Sequence, residues 1–204
     1  MAIKRYFFYN LYKFKTMTRN FLSGFLLFLS ISLIAQKNEF IAVGLNSEMK
    51  SDGVMRQGVV FSYEKQLSKH SGFEIGFSQR SADQYFDGLI GINTYQTFHV
   101  MENYVTIPFL YKFYSDIVNI STGLGFDYFV GWKDITKFGE TELTSYNPNP
   151  KFYMGWVVKL GKTFPLSNKF YLEPEVMFNP IFKYNYSYYG VSLKLKYNLP
   201  SRNP

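Results

Sequence analysis

Residues 104–132 decide the fold: they read Tyr104-Val-Thr-Ile-Pro-Phe-Leu-Tyr-Lys-Phe-Tyr114, then Ser115-Asp116, then Ile117-Val-Asn-Ile-Ser-Thr-Gly-Leu-Gly-Phe-Asp-Tyr-Phe-Val-Gly-Trp132. Successive side chains of a β-strand point to opposite faces, so both arms can be sorted by parity. In the second arm the even positions carry large apolar groups, whereas most odd positions carry Gly, Ser, Asn or Asp. A long strand with this contrast is typical of a lipid-embedded barrel, which has lipid outside and a polar interior.

The same two-residue period continues beyond Gln36 and predicts eight strands. Their approximate bounds are 39–46, 55–66, 71–81, 102–114, 117–132, 151–163, 168–179 and 187–198. Short turns are predicted at 68–70, 115–116 and 165–168, and longer connections at about 47–54, 82–101 and 133–150. Outer-membrane barrels have short periplasmic turns and longer outer loops. We therefore predict an all-β fold, an eight-stranded antiparallel up-and-down transmembrane β-barrel.

Residues 1–35 have the three parts of an export signal, namely a basic region, an apolar run and a small residue at Ala35. The apolar run, residues 21–35, is shorter than the roughly 20 residues that a spanning helix needs. We predict a signal peptide over 1–35, cleaved after Ala35, and a barrel domain over 36–204. A retained membrane anchor and a true start at Met17 remain open as alternatives.

Charge and cysteine content exclude several classes of protein. The formal net charge is +7, but five of the 22 basic residues and no acid precede position 36, so the remaining 17 basic residues exceed the 15 acids by two. A nucleic-acid partner is therefore not predicted, because most of the excess positive charge that such binding requires lies in residues 1–35. The chain has no Cys, which excludes disulfides and thiolate metal sites.

Parity assigns ten charged side chains to the lumen of the predicted barrel. They are the acids Glu64, Glu74, Asp127, Glu173 and Glu175 and the bases Arg80, Lys112, Lys159, Lys194 and Lys196. Because ion pathways display one sign of charge, this balanced set predicts a neutralised, largely filled interior. In the last hairpin we expect Glu175 to face Lys194 and Glu173 to face Lys196; a shift of two residues would leave one such pair.

Eight aromatic residues lie on the apolar parity or near strand ends, as the interfacial girdles of membrane barrels do. This predicted girdle consists of Tyr63, Tyr111, Tyr114, Tyr128, Trp132, Trp156, Tyr189 and Tyr197. Two prolines, Pro108 and Pro174, fall inside predicted strands. Each lacks a ladder donor, so we expect each near a bulge or a rim.

The sequence offers few groups for chemistry, and we predict no catalytic residue, metal ligand or cofactor. His99 and Glu102 form the one His–carboxylate spacing, which we interpret as solvated rim residues, and His70 lies in a predicted turn. Glu173 and Glu175 share one face and could act as paired carboxylates in acid–base chemistry. The lysines predicted on the adjacent strand favour a structural role for both acids.

The segment Tyr104–Tyr114 resembles the Tyr-x-x-Ile-Pro-Leu-Leu-x-Lys-Tyr strand of the PorT-like outer-membrane β-barrel family. Phe73-Glu-Ile-Gly-Phe77 and the closing Tyr189-Gly-Val-Ser-Leu-Lys-Leu-Lys-Tyr197 are similar to that family as well. The resemblance implies a bacterial outer-membrane location and an eight-stranded barrel, and it implies no catalytic residues. The chain departs from the pattern at its end, because seven residues follow Tyr197 where such barrels often end on an aromatic residue.

These observations favour a non-enzymatic outer-membrane barrel with a structural role or a supporting role in secretion or transport at the cell envelope. Its expected partners are outer-membrane lipid and other envelope or secretion proteins, bound through outer loops such as 82–101 and 133–150. Two alternatives remain. One is a secreted soluble lipocalin-like barrel that turns the apolar face inward around a small apolar ligand. The other is a barrel enzyme that acts on membrane lipid.

Overall fold

The computed structural model describes residues 38–51, 53–91, 94–136, 143, 145–148 and 150–200. The predicted signal peptide and its cleavage site lie outside these residues, as does most of the stretch 137–144. Within the described ranges there is no helix with the length and apolarity needed to cross a membrane.

The described chain is built from antiparallel β-strands. They are β1 Glu39–Lys50, β2 Arg56–Gln66, β3 Ser71–Gly91, β4 Thr94–Phe113, β5 Asn119–Asp134, β6 Phe152–Gly161, β7 Phe164–Pro165, β8 Phe170–Pro180 and β9 Ser187–Leu199. Strands β1 to β6 pair in chain order, β9 pairs with both β1 and β8, and β6 pairs with β8. The sheet therefore closes into a ring of eight long strands. Strand β7 adds two residues to the turn before β8.

The two ends of the barrel differ in the length of their connections. The connections β2–β3, β4–β5 and β6–β8, together with the start of β1 and the end of β9, lie at one end, which we call the short-turn rim. The remaining connections lie at the opposite end, the long-loop rim. In outer-membrane barrels the short turns face the periplasm.

The predicted loop over 82–101 is wrong, because strands β3 and β4 continue through it. Their ladder runs from Ser71 opposite Phe113 to Gly91 opposite Thr94, whereas the β2–β3 ladder ends at Val60 opposite Ser78. Beyond the ends of both neighbouring ladders the two strands rise above the barrel as a paired outer hairpin, residues 84–91 and 94–99. Outside lipid a strand does not need one apolar and one polar face. The alternation in polarity on which the sequence prediction depended is therefore lost there.

Apolar side chains cover the outside of the barrel and charged ones fill its interior. The large exposed apolar residues on the strands include Ile41, Val43, Leu45, Phe61, Phe77, Ile107, Phe109, Ile120, Val176, Val191, Leu193 and Leu195. A soluble barrel would need the reverse arrangement, with its apolar face inside. The geometry therefore does not support the lipocalin-like alternative.

Six of the eight predicted girdle residues follow the outward parity, and two do not. Tyr114 turns inward and its hydroxyl donates a hydrogen bond of 2.8 Å to Glu64. Trp132 lies opposite Glu102 and contacts Tyr146, because a bulge at Val130 shifts the register of β5 and reverses its parity. Parity alone could not predict this reversal.

Trp156 and Pro108 also lie where the sequence did not place them. Trp156 faces Leu124 at the middle of the β5–β6 ladder, so it lies within the apolar belt and not at its edge. Pro108 lies inside β4, away from the bulge and both rims, at a point where the β3–β4 ladder is interrupted. Pro174 agrees better with expectation, because the β6–β8 ladder ends beside it at Glu175.

The register of the β8–β9 hairpin differs by two residues from the expected one. Glu173 lies opposite Lys194, and Glu175 lies opposite Ser192. The turn is centred near Lys183, whose positive φ of 67° provides the left-handed step that the reversal needs. A shift of two keeps every side chain on its face, so both glutamates and both lysines still point inward.

Candidate functional site: the filled lumen and the outer hairpin

The barrel interior is organised around Lys112 on β4, which is 0% exposed. Its Nζ lies 2.7 Å from Glu173 Oε1 and 2.8 Å from Glu64 Oε2. Glu74 and Glu175 approach the same nitrogen to 3.6 Å and 3.9 Å. One lysine thus contacts four carboxylates contributed by β2, β3 and β8.

Three further lysines hold the same four acids. Their shorter ion pairs are Lys196–Glu64 at 2.8 Å, Lys196–Glu173 at 3.3 Å, Lys194–Glu175 at 2.9 Å, Lys194–Glu74 at 3.1 Å, Lys194–Glu173 at 3.5 Å and Lys159–Glu74 at 2.7 Å. We call these four lysines and four glutamates the lumen ion network. Its formal charges cancel, and shared contacts compensate each buried charge for the water it has lost.

A second charged group lies between this network and the long-loop rim. Arg80 donates from Nε to Glu48 at 2.6 Å and from Nη1 to Asp127 at 2.6 Å, and its guanidinium lies 4.1 Å from the ring centroid of Tyr188. Thr106 donates a further hydrogen bond of 2.6 Å to Asp127. The planar fork of arginine suits such simultaneous binding of two carboxylates.

Asn179 connects this second group to the seam between β6 and β8. It accepts a hydrogen bond of 2.9 Å from Arg80, and its side-chain nitrogen donates to the Trp156 carbonyl at 3.1 Å. The seam needs this link because its regular ladder extends only from Val158 to Gly161 on β6. A Cβ at position 155 would lie 2.6 Å from Asn179 Nδ2, so glycine there leaves the space that the amide occupies.

Aromatic rings close the lumen at the long-loop rim. Tyr104 and Tyr188 are buried, and Phe129, Tyr153 and Tyr186 pack against them. The Tyr104 ring lies 5.8 Å from Phe129 and 5.6 Å from Tyr153, both nearly edge to face. We call these five rings the aromatic plug; edge-to-face rings at such distances are mutually attractive.

The structure places all ten predicted lumen charges inside the barrel, where none exposes more than 7% of its surface. Sequence reasoning missed Glu48, Asn179 and the aromatic plug. Glu48 continues the inward parity of β1, but it lies beyond the predicted end of that strand. The plug could have been found only by knowing which side chains meet across the barrel.

His99 and Glu102 are not partners of each other. His99 Nε2 lies 3.1 Å from Asp83 Oδ2, and Arg56 holds the same carboxylate with two hydrogen bonds of 2.9 Å. Glu102 instead accepts hydrogen bonds from the hydroxyls of Tyr104 and Tyr146. The His–carboxylate spacing in the sequence therefore does not form an acid–base pair.

The outer hairpin has one packed face and one exposed face. On the packed face Phe86 stacks on Phe98 at 5.6 Å and on Tyr146 at 5.7 Å, so the chain that follows β5 covers this side. On the other face Tyr85 and Tyr95 are 55% and 74% exposed. Among the residues that the structure describes, no group of His, Asp or Glu has the geometry to hold a metal ion.

Comparisons with known proteins identify the fold. No protein family and no curated protein matches the chain. Among solved structures, the outer membrane protein OprG from Pseudomonas aeruginosa has a TM-score of 0.50 at 11% identity, with 80% of this chain and 97% of that chain covered. Its likeness confirms the predicted antiparallel up-and-down barrel.

Two further solved structures are similar to this chain. A major outer membrane protein from Thermus thermophilus has a TM-score of 0.48 at 13% identity, covering 79% of this chain and 99% of that one. Ail, the attachment invasion locus protein of Yersinia pestis, has a TM-score of 0.45 at 12% identity, covering 81% and 100%. The predicted outer-membrane location agrees with the apolar outside of the barrel and with the fold shared with OprG. Membership of the PorT-like family stays a prediction.

Proposed function

We propose that this protein is a non-enzymatic component of a bacterial outer membrane that works as a closed scaffold. The barrel anchors the chain in lipid, and the outer hairpin is the part that contacts other molecules of the envelope. The observation that supports this most strongly is the lumen itself, in which paired charges and edge-to-face aromatic rings occupy successive levels.

The lumen is obstructed at three levels by different interactions. The lumen ion network occupies the half nearer the short-turn rim, the Arg80 group lies beyond it, and the aromatic plug closes the other end. A conducting pore would need a continuous path of water and, for selectivity, charges of one sign. The interior of an eight-stranded barrel is only wide enough for side chains to fill it.

We expect the purified protein to give no steady conductance steps in a planar lipid bilayer, because every ion path along the axis crosses the lumen ion network. The measurement is single-channel recording of folded protein, with a known porin as the positive control. Replacing Arg80 and Tyr188 together with alanine would thin two of the three levels but leave the lumen ion network intact, so this variant should remain closed. Regular open-channel steps from the unmodified protein would contradict a closed scaffold.

The outer hairpin is the proposed contact surface because it rises beyond the ladder of its neighbour β2 and exposes two large rings. Asp83, held by Arg56 and His99, fixes its base against β2. Loops and their supports are where scaffolds vary and bind. The partner class is an envelope or secretion protein that reaches the outer side of the membrane.

This proposal requires the long-loop rim to face outside the cell, and the lack of cysteine makes that orientation simple to test. Lys183 and Lys69 are exposed turn residues at opposite rims, so Lys183→Cys and Lys69→Cys are matched variants. A membrane-impermeant maleimide added to intact cells should label Lys183→Cys and spare Lys69→Cys. Both should react once the outer membrane is permeabilised, and labelling of Lys69→Cys alone would invert the topology.

A further inference from the structure

The short-turn rim contains an open cavity that the scaffold role does not explain. Its volume is about 340 Å³, and it lies in the barrel mouth with Glu64, Lys196 and Asn119 among its lining residues. Glu64 and Lys196 also belong to the lumen ion network, so the network closes the inner side of the cavity. We call this feature the inner cup. A water molecule takes about 30 Å³ in the liquid, so the cup has room for a small organic molecule.

The charges of the inner cup balance, which argues against an ion as its ligand. Its lining includes two acids, Glu64 and Asp116, and two bases, Lys162 and Lys196. Lys196 Nζ is bound by both oxygens of Glu64 at 2.8 Å, and Lys162 donates to the Asp116 carbonyl. A charged ligand would have to compete with these contacts, whereas a neutral one would leave them in place.

The remaining lining residues combine aromatic walls with neutral hydrogen-bonding groups. The rings are Phe40, Tyr114 and Tyr171, and the amides and hydroxyls are Asn38, Gln66, Ser115, Asn119 and Thr163. Phe40 and Tyr171 meet edge to face at 5.6 Å and form one corner of the cup. Small-molecule sites typically have such apolar walls with a few polar groups that fix the ligand's orientation.

We propose that the inner cup binds a neutral, hydroxyl-rich ring, the chemistry of a saccharide. The apolar face of a sugar ring packs against Tyr171, which Phe40, itself only 8% exposed, supports edge to face. The hydroxyl groups of the sugar reach the amides of Asn38 and Gln66 at the opening. If the short-turn rim faces the periplasm, the glycan of the cell wall is one source of this chemistry. Free sugars are the other.

The test is a titration of the folded protein in detergent, followed by calorimetry, with N-acetylglucosamine as the neutral probe. Glucosamine and glucuronate serve as cationic and anionic comparators of similar size. A probe of this size should bind with a dissociation constant on the order of 1 mM. Both charged comparators should bind about tenfold more weakly. Tighter binding of either charged sugar would overturn the proposal, because it would identify an ion site.

Matched variants locate the binding. Tyr171→Leu removes a wall of the cup and should weaken the affinity for N-acetylglucosamine by about tenfold. Tyr189→Leu removes an exposed ring from the outer face of β9 and should leave that affinity unchanged. Heat-modifiable gel migration checks that each variant is folded. If Tyr171→Leu does not fold, Gln66→Leu at the opening replaces it, with a loss of affinity expected as well.

Two further binding experiments distinguish cell-wall glycan from free sugars as the source of the ligand. Chitobiose should bind more tightly than the single sugar if the site continues over Asn38 and Gln66, and insoluble cell-wall glycan should then sediment the protein. Binding of the monosaccharide without either effect would assign the cup to free sugars. Absence of saturable binding, or equal affinity in Tyr171→Leu, would refute the site. None of these outcomes depends on whether the lumen conducts or which rim faces outward.

Discussion

Replacing Lys112 with methionine should lower the free energy of unfolding of the barrel by about 3–5 kcal/mol. Methionine keeps most of the length of the side chain but removes the charge that Glu64 and Glu173 contact at 2.7–2.8 Å. Four carboxylates would then share three lysines around a position that is 0% exposed. A buried charge without a partner costs much more than the net gain that a complete pair provides.

Urea unfolding in lipid vesicles, followed by gel migration, measures this loss. Lys133→Met at the exposed end of β5 is the matched control and should change stability by less than about 1 kcal/mol. Adding Glu173→Gln to Lys112→Met should restore part of the loss, because the number of acids again equals the number of lysines. A Lys112→Met barrel as stable as the control would mean that water reaches the network and replaces the lysine.

Parity assigns side chains to the lumen from sequence alone because the membrane makes the contrast between the two faces of a strand nearly complete. A charged side chain facing lipid at the midplane costs about 2–4 kcal/mol for Arg or Lys. Lys112, Lys159 and Glu74 could therefore be assigned from alternation alone, without knowing their partners. The partners themselves come from strands distant in sequence, and only the closed ring brings them together.

The same reasoning failed where lipid no longer constrains the strands. The outer hairpin alternates between residues such as Tyr85 and Phe86, but both of its faces lack the charge contrast of the membrane region. Trp132 was misplaced for a different reason: one extra residue at Val130 reverses parity, and the adjacent Gly131 is one of three glycines in β5, so it does not mark the bulge by itself. Tyr114 follows the last residue of β4 and is free to turn inward to Glu64.

Removing Glu175 and Lys194 together should cost less stability than the sum of the two single replacements. The expected register placed these residues directly opposite each other, whereas they lie diagonally across the β8–β9 ladder. Lys194 Nζ nevertheless lies 2.9 Å from Glu175 Oε1, because the long lysine side chain spans the offset of two residues. Glu175→Ala alone leaves an excess of buried positive charge at Lys194. Lys194→Ala alone leaves an excess of buried negative charge at Glu175.

Each single replacement should destabilise the barrel by about 3 kcal/mol or more, and the cycle should show a favourable coupling of about 1–3 kcal/mol between the two residues. The coupling energy is smaller than that of an isolated ion pair, because Glu175 also approaches Lys112 and Lys159 at 3.9 Å. Lys196 provides the control within the same network, since it forms its ion pairs with Glu64 and Glu173.

A Glu175→Ala and Lys196→Ala cycle should therefore give a clearly smaller coupling than the Glu175 and Lys194 cycle. Net charge changes by the same amount in both cycles, so general electrostatics of the lumen cannot explain a difference between them. Equal couplings would mean that the eight charges act as one undivided cluster. If the Glu175 and Lys194 losses simply add, the two side chains are not in contact. The register of the closing hairpin would then have to differ from that of the structure.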